Sequence, residues 1–358
     1  MQLSEIANHR MVSQQLVNPV FKTAADLVAW FGAVQGQEYA LTKWGLGIRL
    51  PDLDDSTIET AINAGDILRT HLLRPTWHLV AAEDIRWLLK LTAPRVNASN
   101  GYMYRQLELT ARIFNTCNNV LAKSLEGGKQ LTRNSLNVEL KKHKIKAEGH
   151  RLSYIMMRAE LDGIICSGAR QGNQFTYALL DERAPSVMDI TRDEALEKLA
   201  RRYIRSRGPV TAVDFSTWSG LTISEARKGF DMARPAFEKE NSGNHEFLFA
   251  PYIPPDKAAL KQIFLLPIYD EYIMGYKDRS AMLQFSNKLE PKPAFSYYNT
   301  IISNGQIIGT WKRKANGKTV ALVYQFFTPP NKGQLSSFKK AVTRLEAFTG
   351  LAVAEIDR

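Results

Sequence analysis

Thr211-Ala212-Val213-Asp214-Phe215-Ser216-Thr217-Trp218-Ser219-Gly220-Leu221-Thr222-Ile223 is the stretch that decides how the rest of the chain is read. Ala212 to Trp218 reads as a short helix, Ser219 to Thr222 as a turn, and Ile223 opens a helix expected to reach Phe237. Upstream, Thr191-Arg192-Asp193-Glu194 has the spacing of a capping box, in which two side chains satisfy free backbone N–H groups at a helix start. The helix it opens runs to Ser206, and Gly208-Pro209 ends it because proline has no N–H to continue the ladder. Downstream, His245 to Phe249 reads as a strand. Helix, helix, turn, helix, strand is the order of a helix-turn-helix with a wing.

The same order recurs twice toward the N-terminus. In the middle of the chain, Leu107 to Leu125 is an amphipathic helix stopped by Gly127-Gly128, Thr132-Arg133-Asn134-Ser135 opens a helix through Lys142, and Leu152 to Leu161 follows. Ile164 to Ser167 and Gln174 to Leu179 then flank a hairpin loop. Before Pro94 the reading is three helices (Ala24 to Val34, one resuming at Leu41, one after Asp54-Asp55-Ser56) and a hairpin, Ile67 to Leu73 with Thr76 to Val80; Glu83 to Leu91 then returns to helical spacing. Beyond Phe264 the chain turns to strands: Gln262 to Tyr269, Ser296 to Ser303, Gln306 to Lys314 and Thr319 to Phe327, with hairpin turns at Asn304-Gly305 and Asn316-Gly317 and a final helix from Gly333 to Thr349. The expectation is an α+β protein of three tandem winged-helix units, 1–95, 96–185 and 186–255, followed by a β-rich, barrel-like domain with one helix at 256–358.

The totals fit a soluble globular chain of 358 residues, 44% hydrophobic and 23% charged. No window approaches the roughly 18 uncharged apolar residues of a membrane span, and Met1 to Glu5 has neither the basic start nor the apolar run of an export signal. Two cysteines, Cys117 and Cys166, in apolar surroundings suit buried thiols in a reducing cytoplasm. The formal charge of +11 favours a polyanionic partner.

The candidate chemistry sits at Val34-Gln35-Gly36-Gln37-Glu38, between the first two helical segments. Two primary amides, each donor and acceptor without charge, suit holding a water or a sugar oxygen beside a developing cation; the alternative is a polar loop whose glutamines cap helix ends. Neither amide takes a full proton at neutral pH, so a base must be a carboxylate, and Glu38 is the nearest in sequence; its alternative is a helix N-cap or first-turn acid. Arg74 at a hairpin tip, with Thr76 and His78 on one strand face, reads either as a basic loop entering DNA or as a solvated tip with an internally bonded histidine. Asp270-Glu271 with Asp278-Arg279 reads as cleft acids or as a structural Asp–Arg pair. Basic clusters at Lys141-Lys142-His143-Lys144-Ile145-Lys146, at Arg201-Arg202 with Arg205 and Arg207, and at Lys312-Arg313-Lys314 with Lys318 are solvated faces singly and a phosphate-tracking surface together. Trp30, Phe31 and Trp44 have core spacing. No lysine adjoins the amide pair, which argues against a Schiff-base lyase. No metal-ligand spacing and no Gly-rich phosphate loop occurs, so no metal and no cofactor is expected.

Several stretches together carry a family resemblance: the Gln35-Gly36-Gln37 segment, Leu68-Arg69-Thr70 through Arg74-Pro75-Thr76-Trp77-His78-Leu79-Val80, Thr191 to Leu196, Gly208-Pro209-Val210-Thr211 through Asp214-Phe215 to Gly220-Leu221-Thr222, Leu266-Pro267-Ile268-Tyr269-Asp270-Glu271-Tyr272, Gly275-Tyr276-Lys277-Asp278-Arg279 and Gly309-Thr310-Trp311-Lys312-Arg313. The chain resembles the AlkZ-like, winged-helix DNA-binding-domain family of bacterial DNA glycosylases over nearly its whole length. The resemblance implies three winged helices and a β-rich domain around a basic DNA channel, and release of bulky N7-alkylated purines or unhooking of interstrand crosslinks. Its motif of glutamine, aliphatic residue, glutamine carries over onto Gln35 and Gln37; Gly36 departs from it, and glycine loosens the backbone there. The expected partner is damaged double-stranded DNA, bound by a monomer in the cytoplasm at the nucleoid, with no membrane and no nucleotide cofactor. The competing reading is a non-catalytic DNA binder, a regulator or damage sensor, since winged helices are far commoner in that role. A small-molecule hydrolase lacks a nucleophile–base constellation.

Overall fold

A computed structural model describes residues 1–186, 188–243, 245–284, 298–316 and 319–357. The chain opens with α1 (Leu3–Ser13), whose buried face mixes Ile6, Ala7 and Met11 with His9, Arg10 and Ser13, so no apolar stripe announces it in the sequence. The first unit is α2 (Ala24–Phe31), β1 (Val34–Gln35), α3 (Tyr39–Arg49), α4 (Asp55–Ala64), β2 (Ile67–His71) and β3 (Trp77–Ala81). After α5 (Ile85–Ser99) and α6 (Gly101–Gln106), the second is α7 (Ala111–Leu125), β4 (Leu131–Thr132), α8 (Arg133–Lys142), α9 (Gly149–Leu161), β5 (Ile165–Ser167) and β6 (Thr176–Leu179), closed by α10 (Leu180–Arg183). The third is α11 (Arg192–Arg207), α12 (Ala212–Ser219), α13 (Ile223–Ala233), β7 (Glu238–Ser242) and β8 (His245–Phe249). In the first two units the short strand pairs with the second strand of the hairpin, giving orders β1-β3-β2 and β4-β6-β5. In the third, Val210 bridges Leu248 of β8 in the same place.

The last part holds α14 (Lys257–Leu260), β9 (Ile263–Leu266), α15 (Glu271–Met274), α16 (Ser280–Leu283), β10 (Asn299–Ser303), β11 (Gln306–Asn316), β12 (Thr319–Phe326), α17 (Lys332–Thr349) and β13 (Ala352–Asp357). Its five strands run β13-β12-β11-β10-β9, antiparallel except for β12 and β13, whose parallel pairing the α17 crossover makes possible. The five strands thus form one continuous sheet, with β9 and β13 at its edges.

Several boundaries move for local reasons. α2 stops at Phe31, not Val34, because Gly32 takes a positive φ of 75° and releases the chain into β1. α5 continues through Pro94 and across the expected boundary at 95, so that boundary falls inside a helix. The helix expected from Leu107 begins at Ala111; Glu108, at φ 51°, separates it from α6. α13 ends at Ala233, and a 3-10 turn over Arg234–Ala236 frees the chain for β7, so His245–Phe249 is half of a hairpin. The turn expected at Asn316-Gly317 and the basic residue Lys318 involve Gly317 and Lys318, which lie outside the described residues, as do Ser296 and Tyr297 of the strand expected from Ser296.

Core burial places the candidate segment. The second unit closes around its own cluster, including Phe114, Leu121, Leu136, Ile155 and Ile165. The first unit is shared between two clusters: Leu27, Phe31, Val34 and Leu79 pack with Leu265, Trp311, Phe338 and Phe348 of the last part. Ala33, Leu68 and Val80 pack with Leu199, Tyr203, Phe215 and Trp218 of the third unit. β1 thus begins where the two clusters meet. No helix among the described residues is long and apolar enough to cross a membrane.

Candidate active site

β1 is held by its backbone from two sides. Val34 pairs with Leu79 and Gln35 with His78, and the Gly36 N–H donates to the Trp77 carbonyl at 2.7 Å. On the other side the Gln35 N–H donates to Glu271 Oε1 at 3.0 Å. Glu271 Oε2 accepts from Arg207 Nη2 at 2.6 Å and Nε at 3.1 Å, and from Trp218 Nε1 at 3.0 Å. Arg207 in turn caps the end of α2, donating to the Phe31 and Ala33 carbonyls. Glu271 is 2% exposed and Arg207 0%, so this is a fully desolvated, charge-assisted pair with its remaining groups satisfied. The Thr42 hydroxyl donates to the Gln35 carbonyl at 3.0 Å and the Glu38 carbonyl at 3.1 Å, tying the first turn of α3 to the same segment.

The two glutamines differ in situation. Gln35 is 5% exposed, and its Oε1 accepts from Arg74 Nη2 at 3.0 Å. Gln37 is exposed; its Oε1 accepts from the Trp77 N–H at 3.4 Å, a long bond. Glu38 is exposed at the N-cap position of α3 but makes no side-chain cap there. Behind Gln35 lies a cavity of about 10 Å³, lined among others by Gln35, Thr42, Arg49, Asp270 and Glu271. The arrangement is one amide fixed by a guanidinium, one amide facing solvent, and a carboxylate beside it, all on a backbone pinned from both faces.

Of the hairpin residues, His78 is internally bonded, as one sequence reading had it, whereas Arg74 is neither a solvated tip nor a loop entering DNA. Arg74 does not project from the tip: Nη1 donates to the carbonyls of Trp218 at 2.7 Å and Thr217 at 3.3 Å while Nη2 holds Gln35. Gly220 makes this docking possible, since its φ is 72° and a Cβ there would lie 2.4 Å from the Leu73 carbonyl oxygen. His78 is fully buried, its Nδ1 on the Thr76 carbonyl at 3.0 Å and its Nε2 unpartnered. Burial, then the nearby Arg74 cation, hold its pKa well below the usual value, so the ring is neutral and lies off the surface. It sits directly opposite Gln35, and paired residues of an antiparallel ladder share a face. Thr76 is half-buried with its hydroxyl unpartnered.

The basic residues divide. Lys141 and Lys142 are exposed on α8, beside Glu148 and Glu139, and Lys312 and Lys314 are exposed on β11. Arg313 is half-buried; burial lowers its pKa against the opposing pull of Asp55 and Glu38. Arg201 bonds Glu197 within its own helix at 2.7 Å. Arg202 pairs with the buried Asp84 and Arg207 is wholly internal, so half of that expected cluster is structural rather than a phosphate surface. Asp270 and Glu271 do belong to Asp–Arg and Glu–Arg pairs, but with Arg49 (2.8 Å, bidentate) and Arg207 rather than Arg279. Lys43, one turn into α3, is committed to Asp55 at 2.8 Å and Glu59 at 2.6 Å. Phe31 and Trp44 are core, and Trp30 is half-buried with its Nε1 on the Ser13 carbonyl.

Sequence reasoning missed Arg49 and the role of Arg207. The only signal was position, each in the last turn of a helix, where a cation also suits the carbonyl ends.

Comparison with known proteins gives three consistent results. Residues 28–348 match the family model described as DNA glycosylase AlkZ-like. The chain is 23% identical over 321 residues to the interstrand DNA cross-link repair glycosylase of Streptomyces sahachiroi, covering 85% of each chain. It superposes on the structure of Streptomyces sahachiroi DNA glycosylase AlkZ with a TM-score of 0.78, at 18% identity, over 99% of this chain and 100% of that one.

Proposed function

Because this chain belongs to the AlkZ-like DNA glycosylase family, we propose that it hydrolyses the N-glycosidic bond of bulky N7-alkylated or crosslinked purines in double-stranded DNA. N7 alkylation leaves the purine cationic and a good leaving group. As the C1′–N9 bond breaks the sugar becomes an oxocarbenium-like cation; a water adds to C1′, loses a proton, and the base departs neutral. Gln37, the exposed amide, directs its oxygen toward the sugar and the attacking water. Gln35, fixed by Arg74, sets the amide geometry from behind. Glu38 is the acceptor for the water's proton. The observation that carries this reading is the asymmetry of the pair, one amide locked at 5% exposure and the other open beside a carboxylate.

Each repeated unit is read as a winged helix, from α2 to β3, α7 to β6 and α11 to β8 ahead of the β-rich region, and the exposed lysines of α8 and β11 as phosphate contacts. The protein acts as a monomer at the nucleoid in the cytoplasm, without a cofactor. A preorganised dipole facing developing charge is worth about 10²–10³ in rate. Single-turnover incubation with a duplex carrying N7-alkylguanine should release free base and leave an abasic site. Gln37→Ala should lose a factor of that size, and Gln35→Ala/Gln37→Ala should leave only background. Base release undiminished in the double variant removes the amides from the mechanism. Sequence-selective binding without base loss favours a non-catalytic DNA binder.

A further inference from the structure

β2 is an edge strand of the first sheet, and an edge leaves alternate N–H groups open unless something covers them. The second unit covers this one with side chains. Ser167 Oγ accepts the Arg69 N–H at 2.8 Å, and Glu160 Oε2 accepts the His71 N–H at 3.2 Å. From the first of these anchors the Arg69 side chain reaches across to the amide segment, where its Nε donates to the Gly36 carbonyl at 3.1 Å. Its guanidinium lies 4.1 Å from the Trp77 ring centroid and 4.6 Å from that of Phe175, which the second unit's hairpin loop supplies. A cation meant for phosphate presents its head to solvent; Arg69 is 8% exposed and lies against two rings.

Gly36 has no side chain with which to anchor the stretch between the glutamines, so its carbonyl is where an outside strut has most effect. We infer that Arg69 is a positioning residue for the amide pair: by holding the Gly36 carbonyl it fixes the aim of Gln37, and the docked second unit holds Arg69 in turn. The geometry stands on its own; the consequence for rate rests on the glycosylase reading above.

Arg69→Met keeps length and removes the donor, whereas Arg69→Gln loses the charge but keeps an N–H at the position of Nε. In single turnover on an N7-alkylguanine duplex, Arg69→Met should slow base release about tenfold, the worth of one hydrogen bond expressed in a rate, with the DNA Kd within twofold of wild type. Arg69→Gln should recover most of that rate. Amide exchange of the peptide spanning residues 34–40 should accelerate in Arg69→Met and return in Arg69→Gln, whether or not base is released. Phe175→Ala, at a side chain 37% exposed and so safe for folding, should give a smaller loss of rate in the same direction. Equal loss of DNA affinity in both Arg69 variants makes Arg69 a phosphate contact and overturns the inference. So does a wild-type exchange pattern and rate per folded molecule in Arg69→Met. Altered exchange with no base release by wild type removes the glycosylase reading and leaves the strut in place.

Discussion

Gly36 stands between the two glutamines without a side chain, and the structure gives no steric reason for glycine there. A Cβ there would lie 3.4 Å from the His78 carbonyl carbon and 3.5 Å from Leu79, ordinary contact distances, and the residue is not among those with positive φ. Gly36→Ala is therefore expected to fold and to gain roughly 0.4–1 kcal/mol by restricting the unfolded chain. Base release should stay within a few-fold, because the carbonyl that Arg69 grips and the N–H that Trp77 accepts are unchanged. Denaturant unfolding checks the first part and single-turnover rates the second; a marked loss of stability means that the segment needs a conformation only glycine adopts. The amide pair itself was legible from residue type alone. Which amide is locked and which is open was not, since that depends on Arg74, 39 residues from Gln35, and on the turn that draws Arg74 inward.

Among elements, α15 matters more than its four residues suggest. Its first residue, Glu271, joins β1, the end of α11 and Trp218 of α12 through one carboxylate. Glu271→Gln leaves the Arg207 cation buried without a counter-charge, and breaking such a pair costs about 3–5 kcal/mol. Glu38→Gln, at an exposed acid, should stay within about 0.5 kcal/mol. Thermal melts of the two variants compare these directly; equal shifts mean that the buried pair contributes no more than a surface charge. The three repeated units were readable as elements because their helices carry apolar periods and capping residues. Thr191, whose hydroxyl accepts from the Glu194 N–H at 3.3 Å, shows that this local rule held. α1 and β13 were not readable: one hides its apolar positions among buried polar ones, and the other gains its order from pairing with β12.

For the whole molecule, the net charge of +11 is spread over residues in two different roles. Lys141, Lys142, Lys312 and Lys314 are exposed, the first two in surface pairs with Glu148 and Glu139, whereas Arg49, Arg202 and Arg207 pair with buried acids. DNA affinity should fall linearly on a log–log plot against salt, and Lys141→Ala/Lys142→Ala should reduce the slope by about 2. Arg202→Ala should lower the melting temperature and leave the slope unchanged, because its charge already faces Asp84. Titrations across a salt series separate the two, and an unchanged slope in the lysine variant removes α8 from the DNA surface. The sequence by itself determined the α+β class, the thrice-repeated order of helices followed by strand, and the amide segment, because periodicity, caps and residue chemistry are local. Only the tertiary structure decided the partners of the arginines, the inward docking of Arg74 and the neutrality of His78. Charge pairing and desolvation depend on which elements meet in space, and two residues of the same type with similar neighbours in sequence carry no mark of whether they end in water or against a buried acid.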